Sequence, residues 1–168
     1  MKRSTQFATV VLLAGVAQVS LASESLAQNI PWRFSSEIDP LTDKAGGSAT
    51  AATKISIVDF SCVKGEPIGE FLVLVDLGDT DVYSKDELEV AWRTDNNAVR
   101  NEIWEANKVS VDSVGVGVLG QKAFDFALAV AGAQNRIVFR NPNGTLVYDA
   151  KGSTKAISQL LEFCGLKQ

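Results

Sequence analysis

The 168-residue chain contains no histidine, two cysteines, one methionine and four prolines. Without histidine it lacks the commonest general base, the usual zinc ligand and every Ser-His or Cys-His nucleophile pair. A pH switch working through imidazole is excluded as well. There is no GxSxG elbow for an activated serine. Long apolar runs are scarce: Phe7 to Val19 follows Lys2 and Arg3 and leads to Ser25-Leu26-Ala27. That is the layout of a secretory signal peptide, residues 1–27, with small residues at the cleavage site. No later stretch reaches the ~18–20 uninterrupted apolar residues of a membrane-spanning helix, so no stable membrane insertion is expected after cleavage. Basic charge is not in excess either: 16 Lys and Arg stand against 20 Asp and Glu, a net charge of -4. This balance argues against nucleic acid and anionic membrane surfaces as partners.

What remains is enough for one domain, residues 28–168. Two cysteines in a chain read as exported pair most simply as one disulfide, Cys62–Cys164, the alternative being two buried reduced thiols.

Ile30 to Phe34 opens as a short aromatic strand, and Ser35 to Asp43, with Asp39-Pro40, favours turns. Residues 44–53 are rich in Gly, Ala, Ser and Thr, and read as a flexible loop with little to pack. Ile55–Cys62 and Phe71–Leu77 read as strands. Leu88–Thr94 alternates, with Leu88, Val90 and Trp92 on one face and Glu89 and Arg93 on the other. Asp95-Asn96-Asn97 is hairpin-turn chemistry, returning through Ala98–Trp104. Val109–Val114 is a further strand, and Gln121–Ala131 an amphipathic helix. Asn135–Arg140 and Thr145–Tyr148 flank Asn143-Gly144, a strong hairpin signal. The last helix, Ser153–Phe163, has Ser153 as cap and Gly165 as stop. The predicted class is α+β: a mainly antiparallel sheet or open sandwich, two helices in the C-terminal half, and one disulfide closing it.

Gly115-x-Gly117-x-x-Gly120 matches a dinucleotide fingerprint in spacing alone. It has no βαβ context and no ribose-binding acid, and reads as a strand-to-helix link, so no cofactor is expected. Asp76, Asp79 and Asp81 are a candidate calcium set, but without the glycine and the twelfth-position acid of an EF-hand loop they also read as a solvated acidic loop. Trp32, Trp92 and Trp104 are core candidates, with Trp32 beside Arg33 the one most suited to an exposed binding edge.

Three features then resemble one family: Trp32-x-Phe-Ser-Ser-x-Ile-Asp39-Pro-Leu-Thr-Asp43; Trp92-Arg93-Thr-Asp95 followed by Trp104; and a closing helix ending in Cys164 with its partner at Cys62. Together they resemble the periplasmic accessory proteins of type VI secretion, the VasI/TagO-like group. The resemblance implies a periplasmic or secreted module, and it carries over no catalytic residues. The expected function is non-catalytic binding of a protein or envelope component through Trp32, Arg33, Asp39, Asp43, Arg93 and Asp95. The alternatives are a small carboxylate-based envelope hydrolase and an inhibitor of a secreted hydrolase.

Overall fold

The computed structural model describes residues 30–77, 86–108, 114–142 and 144–166. The expected signal peptide, Asp79, Asp81, Asn143 and all but the last residue of the expected strand 109–114 lie outside them. The strands are β1 (Ile30–Ile38), β2 (Ala45–Ala52), β3 (Ile57–Val63), β4 (Leu72–Asp76), β5 (Glu87–Thr94), β6 (Arg100–Lys108), β7 (Val114–Leu119), β8 (Arg136–Asn141) and β9 (Gly144–Asp149). Helix α1 (Gln121–Ala131) lies between β7 and β8, and α2 (Ser153–Cys164) follows β9. All nine strands join one sheet in the order β1-β2-β3-β4-β7-β6-β5-β8-β9. Every neighbouring pair is antiparallel. The expected α+β class therefore takes the form of a single open sheet with both helices in the C-terminal half.

Period-2 alternation decides which side of this sheet is inside. Val58, Phe60 and Cys62 of β3, Val73 and Val75 of β4, Leu88, Val90 and Trp92 of β5, and Ile137 and Phe139 of β8 are all buried. Both helices pack on that inner side. Phe126 of α1 is the hub, its ring centre 4.6 Å from that of Trp92, 5.4 Å from Phe60 and 5.5 Å from Trp104. Burying a phenylalanine of this kind contributes ~1.5–3 kcal/mol, and here one side chain ties three strands to one helix.

Nine twisted strands curl strongly. The curl brings the first strand of the order to the last: the Trp32 indole N–H donates to the Asp149 carbonyl at 2.8 Å. Beside it the Ser56 hydroxyl bonds both the Tyr148 hydroxyl and the Asp76 carbonyl. Burial holds the Tyr148 phenol well above its ordinary pKa, with the Ser56 bond opposing the rise and the Asp76 charge adding to it.

Most of the segment expected to be a flexible loop, residues 44–53, is strand β2, paired with β3 and, apart from an irregularity between Ile30 and Arg33, with β1. Its small residues are explained by α2. A Cβ on Gly47 would lie 2.6 Å from Phe163 Cδ1 and 3.3 Å from Leu160 Cδ1. Larger side chains would push α2 off the sheet and Cys164 away from Cys62. Those cysteines are joined, with 6.1 Å between their Cα atoms and 102 residues between them in sequence. The glycine-spaced link of residues 115–120 is likewise mostly strand, β7, between β4 and β6. It has no parallel neighbour, so no βαβ unit for a dinucleotide arises from it.

Ser153 does not cap its own helix. The cap position is Gly152, and the Ser153 hydroxyl donates instead to the Val130 carbonyl at 2.8 Å, with Thr154 donating to Ala131 at 2.6 Å. The first turn of α2 thus satisfies carbonyls that the end of α1 leaves without intrahelical partners. Gly165 closes α2 in the left-handed conformation, φ 77°, as its position predicts.

Candidate functional site

The hairpin of β5 and β6 places Val90 opposite Glu102 and Leu88 opposite Trp104. Alternation then puts the half-buried Glu102 on the same inward face as Trp92 and Trp104. Its Oε1 accepts the Trp92 indole N–H at 3.1 Å and its Oε2 the Trp104 indole N–H at 2.9 Å. Each indole finds the acceptor that a buried tryptophan needs, and both carboxylate oxygens are held in place. Arg100 lies over the Trp92 ring, 5.1 Å from its centre.

On the other side of β5, pairing with β8 covers only Ala91–Thr94 against Ile137–Arg140. Beyond Arg140 the β8–β9 hairpin leaves β5, and a cleft of about 820 Å³ opens, lined by Glu89, Val90, Asn101, Glu102, Ile103, Lys122, Arg140, Asn141 and Pro142 among others. Glu89, Ile103 and Pro142 are shared with a depression at the start of β5 beside Glu87. At the other end Ala91 and Arg140 are shared with one that reaches Arg93, Val99 and Val138. The three form a continuous groove along β5. It is acidic at the Glu87–Glu89 end and basic at Arg93 and Arg140, with Ile103, Val99 and Val138 as apolar lining. Four of the six arginines in the chain, Arg93, Arg100, Arg136 and Arg140, lie on β5, β6 and β8. Neither Arg93 nor Arg140 has an ion-pair partner among the described residues, where the ion pair is Lys44–Glu66 at 2.8 Å.

The residues expected to bind do not form one edge. Trp32 is 7% exposed, packed 6.0 Å from the Phe60 ring, and belongs to the core. Arg33 is exposed on the outward face of β1 opposite Thr50. Asp39 closes its own turn, accepting the Leu41 N–H at 2.8 Å and the Thr42 hydroxyl at 2.7 Å. The Thr42 hydroxyl first, then the Leu41 N–H, hold its carboxyl below the usual aspartate range. Asp43 ends that turn with φ 56°. Across the sheet, with five strands between β1 and β5 in its order, Arg93 and Asp95 lie on and just after β5. Asp95, at φ 52°, accepts the main-chain N–H groups of Gln134, Asn135 and Arg136 at 2.9, 2.8 and 3.0 Å. Those bonds, Gln134 first, hold its carboxyl below the ordinary value. It is the clamp between the β5–β6 turn and the start of β8. Of the expected set, only Arg93 lines the groove.

The chain matches no protein-family model, no curated protein and no solved structure. What the groove can do follows from its own chemistry. Among the described residues no group of three or more His, Cys, Asp or Glu could hold a metal ion, and of the calcium candidates only Asp76 falls within them. Glu89 and Glu102 line the same cleft but leave β5 and β6 on opposite faces of the sheet. The groove is thus an elongated, charge-graded surface with apolar patches. Glu102 was the residue that sequence reasoning missed. Its trace in the sequence is parity: two positions before Trp104, it is a charged residue where alternation demands an inward-facing one.

Proposed function

We propose that the protein is an exported accessory module that works by binding a protein or an envelope component, with the periplasm as its compartment. The resemblance in Trp32–Asp43, Trp92–Asp95 and Cys164 nominates a type VI secretion component as the partner. The observation that carries the binding reading is the groove along β5, whose ends differ in charge and whose arginines Arg93 and Arg140 have no ion-pair partner among the described residues. Elongated grooves with unmatched charge select extended partners by electrostatic complementarity.

A photo-crosslinking residue at Ile103, which is 54% exposed in the groove, tests this against the same residue at Leu41, 92% exposed in the turn after β1. An adduct formed in intact cells from Ile103 and not from Leu41 is the expected result. Equal labelling from both, or none from Ile103, refutes it. The hydrolase reading rests on Glu89 and Glu102 sharing a cleft. It requires that Glu89→Gln and Glu102→Gln abolish cleavage of an envelope glycan, which the binding reading does not.

A further inference from the structure

Hydrogen bonds at both ends of β5 fix the direction in which each residue turns its main-chain groups. Ala106 N–H donates to the Asp86 carbonyl at 2.8 Å, and Asp95 N–H donates to the Arg136 carbonyl at 2.8 Å. Antiparallel pairing alternates along a strand. Even-numbered residues of β5 therefore turn their N–H and C=O groups to β6, and odd-numbered residues turn theirs to β8. The β5–β8 register reaches Ala91 opposite Arg140. β8 ends at Asn141, whose pairing with Gly144 turns the chain into β9, and Pro142, in that turn, lines the cleft together with Glu89 and has no N–H to give. The ladder stops there. Among the described residues no strand pairs with Glu87 and Glu89 on this side, and they direct their main-chain groups into the cleft that β8 has left.

We infer that this half of β5 takes up an extended segment of a partner protein as an added strand, and that the segment carries basic residues at alternate positions. The inference rests on the binding reading above and deepens it. An uncovered strand edge is a template for main-chain pairing. Its side chains select the partner. Glu87 and Glu89 are both exposed on the outer face. Opposite charges set beside one another across a sheet attract. A lysine or arginine beside Glu89 and another beside Glu87 therefore suits this edge. The alternate residues of the added strand turn inward beside Leu88 and Val90, both buried, so small apolar side chains suit them. Four residues, Glu87–Val90, extend ~13 Å at ~3.3 Å per residue. The predicted segment is thus short, of the pattern Lys-Val-Lys-Val.

The test uses the disulfide-bonded protein with fluorescein-labelled (Lys-Val)₄ and (Glu-Val)₄ peptides, followed by anisotropy and by amide hydrogen exchange in NMR. In the free protein the Glu87 and Glu89 amides should exchange much faster than those of Leu88 and Val90. The Lys-Val peptide should slow both at least tenfold, and the Glu-Val peptide should bind at least tenfold more weakly. Glu87→Lys combined with Glu89→Lys should weaken the Lys-Val peptide at least tenfold and strengthen the Glu-Val peptide, with an unchanged circular dichroism spectrum. Three results overturn the inference: Glu87 and Glu89 amides protected in the free protein, no change in them at saturating peptide, or protection confined to the free edges of β1 or β9. If the Ile103 crosslink forms while these amides do not respond, strand addition fails and the binding reading stands.

Discussion

Gly47→Ala is the most direct probe of how α2 is seated. Gly47 faces inward from β2, and a Cβ built on it would come 2.6 Å from Phe163 Cδ1, 2.8 Å from Phe163 Cε1 and 3.3 Å from Leu160 Cδ1. Carbon atoms in contact prefer ~3.5–4.0 Å, so the ring or the helix has to move. Gly46, its neighbour, faces outward, and a Cβ there would meet only the Cys62 carbonyl oxygen at 3.9 Å. Replacing a strand glycine by alanine recovers ~0.5–1 kcal/mol of backbone entropy, whereas overpacking costs ~1–3 kcal/mol. Gly46→Ala should therefore stabilise by up to ~1 kcal/mol, and Gly47→Ala should destabilise by ~0.5–2 kcal/mol. In thermal melts with the disulfide intact, each kcal/mol should move Tm by ~2–4 °C, in opposite directions for the two variants. Adding Phe163→Ala to Gly47→Ala removes the obstructing ring, so the pair should be non-additive by ~0.5 kcal/mol or more. Equal Tm values for the two alanine variants, or strict additivity with Phe163→Ala, would refute the close-seating explanation of β2.

Replacing Cys62 and Cys164 together by serine releases a cross-link spanning 102 residues. Loop-closure entropy sets a ceiling of ~4–5 kcal/mol on the loss, and ~2–4 kcal/mol is expected from the urea midpoint; a variant as stable as the parent would contradict it. Asp95 has a folded pKa below its unfolded value, so its contribution is present above about pH 4, the range of a free aspartate, and is lost as pH falls through the lower folded value. Asp95→Asn should accordingly flatten the acid limb of a stability–pH curve and leave the chain less stable at neutral pH; an unchanged acid limb would count against the three-bond clamp. Tyr148 has its folded pKa raised, so the stability it protects is present below about pH 10 and is lost as pH rises beyond that. In an ultraviolet titration Tyr148 should ionise only as the protein unfolds, and Tyr148→Phe should remove that component; ionisation of Tyr148 in the folded state near pH 10 would contradict its burial.

Local patterns set much of this protein directly. The α1 span, Gln121–Ala131, follows from helical spacing, and Gly165 marks the end of α2 because a glycine adopts the left-handed conformation at no steric cost. Alternation in β5 is equally local, being a matter of side-chain parity, and the hairpin of β8 and β9 falls where turn-forming residues separate two β-branched runs. The pairing of Cys62 with Cys164 followed from there being two cysteines in a chain read as exported. Tertiary structure decided the rest. Residues 45–52 have the composition of a loop and become a strand because α2 needs a thin surface to lie on, which only a helix distant in sequence can impose. Trp32 has the sequence context of an exposed edge and is buried because the sheet curls until β1 meets β9. Asp95 resembles a binding carboxylate and is consumed by three N–H groups about 40 residues away. The groove depends on register: the ladder between β5 and β8 ends at Ala91 and Arg140 because β8 turns into β9 just beyond, leaving Glu87 to Val90 without β8 beside them. Pairing between strands remote in sequence makes that alignment, and no local propensity encodes it.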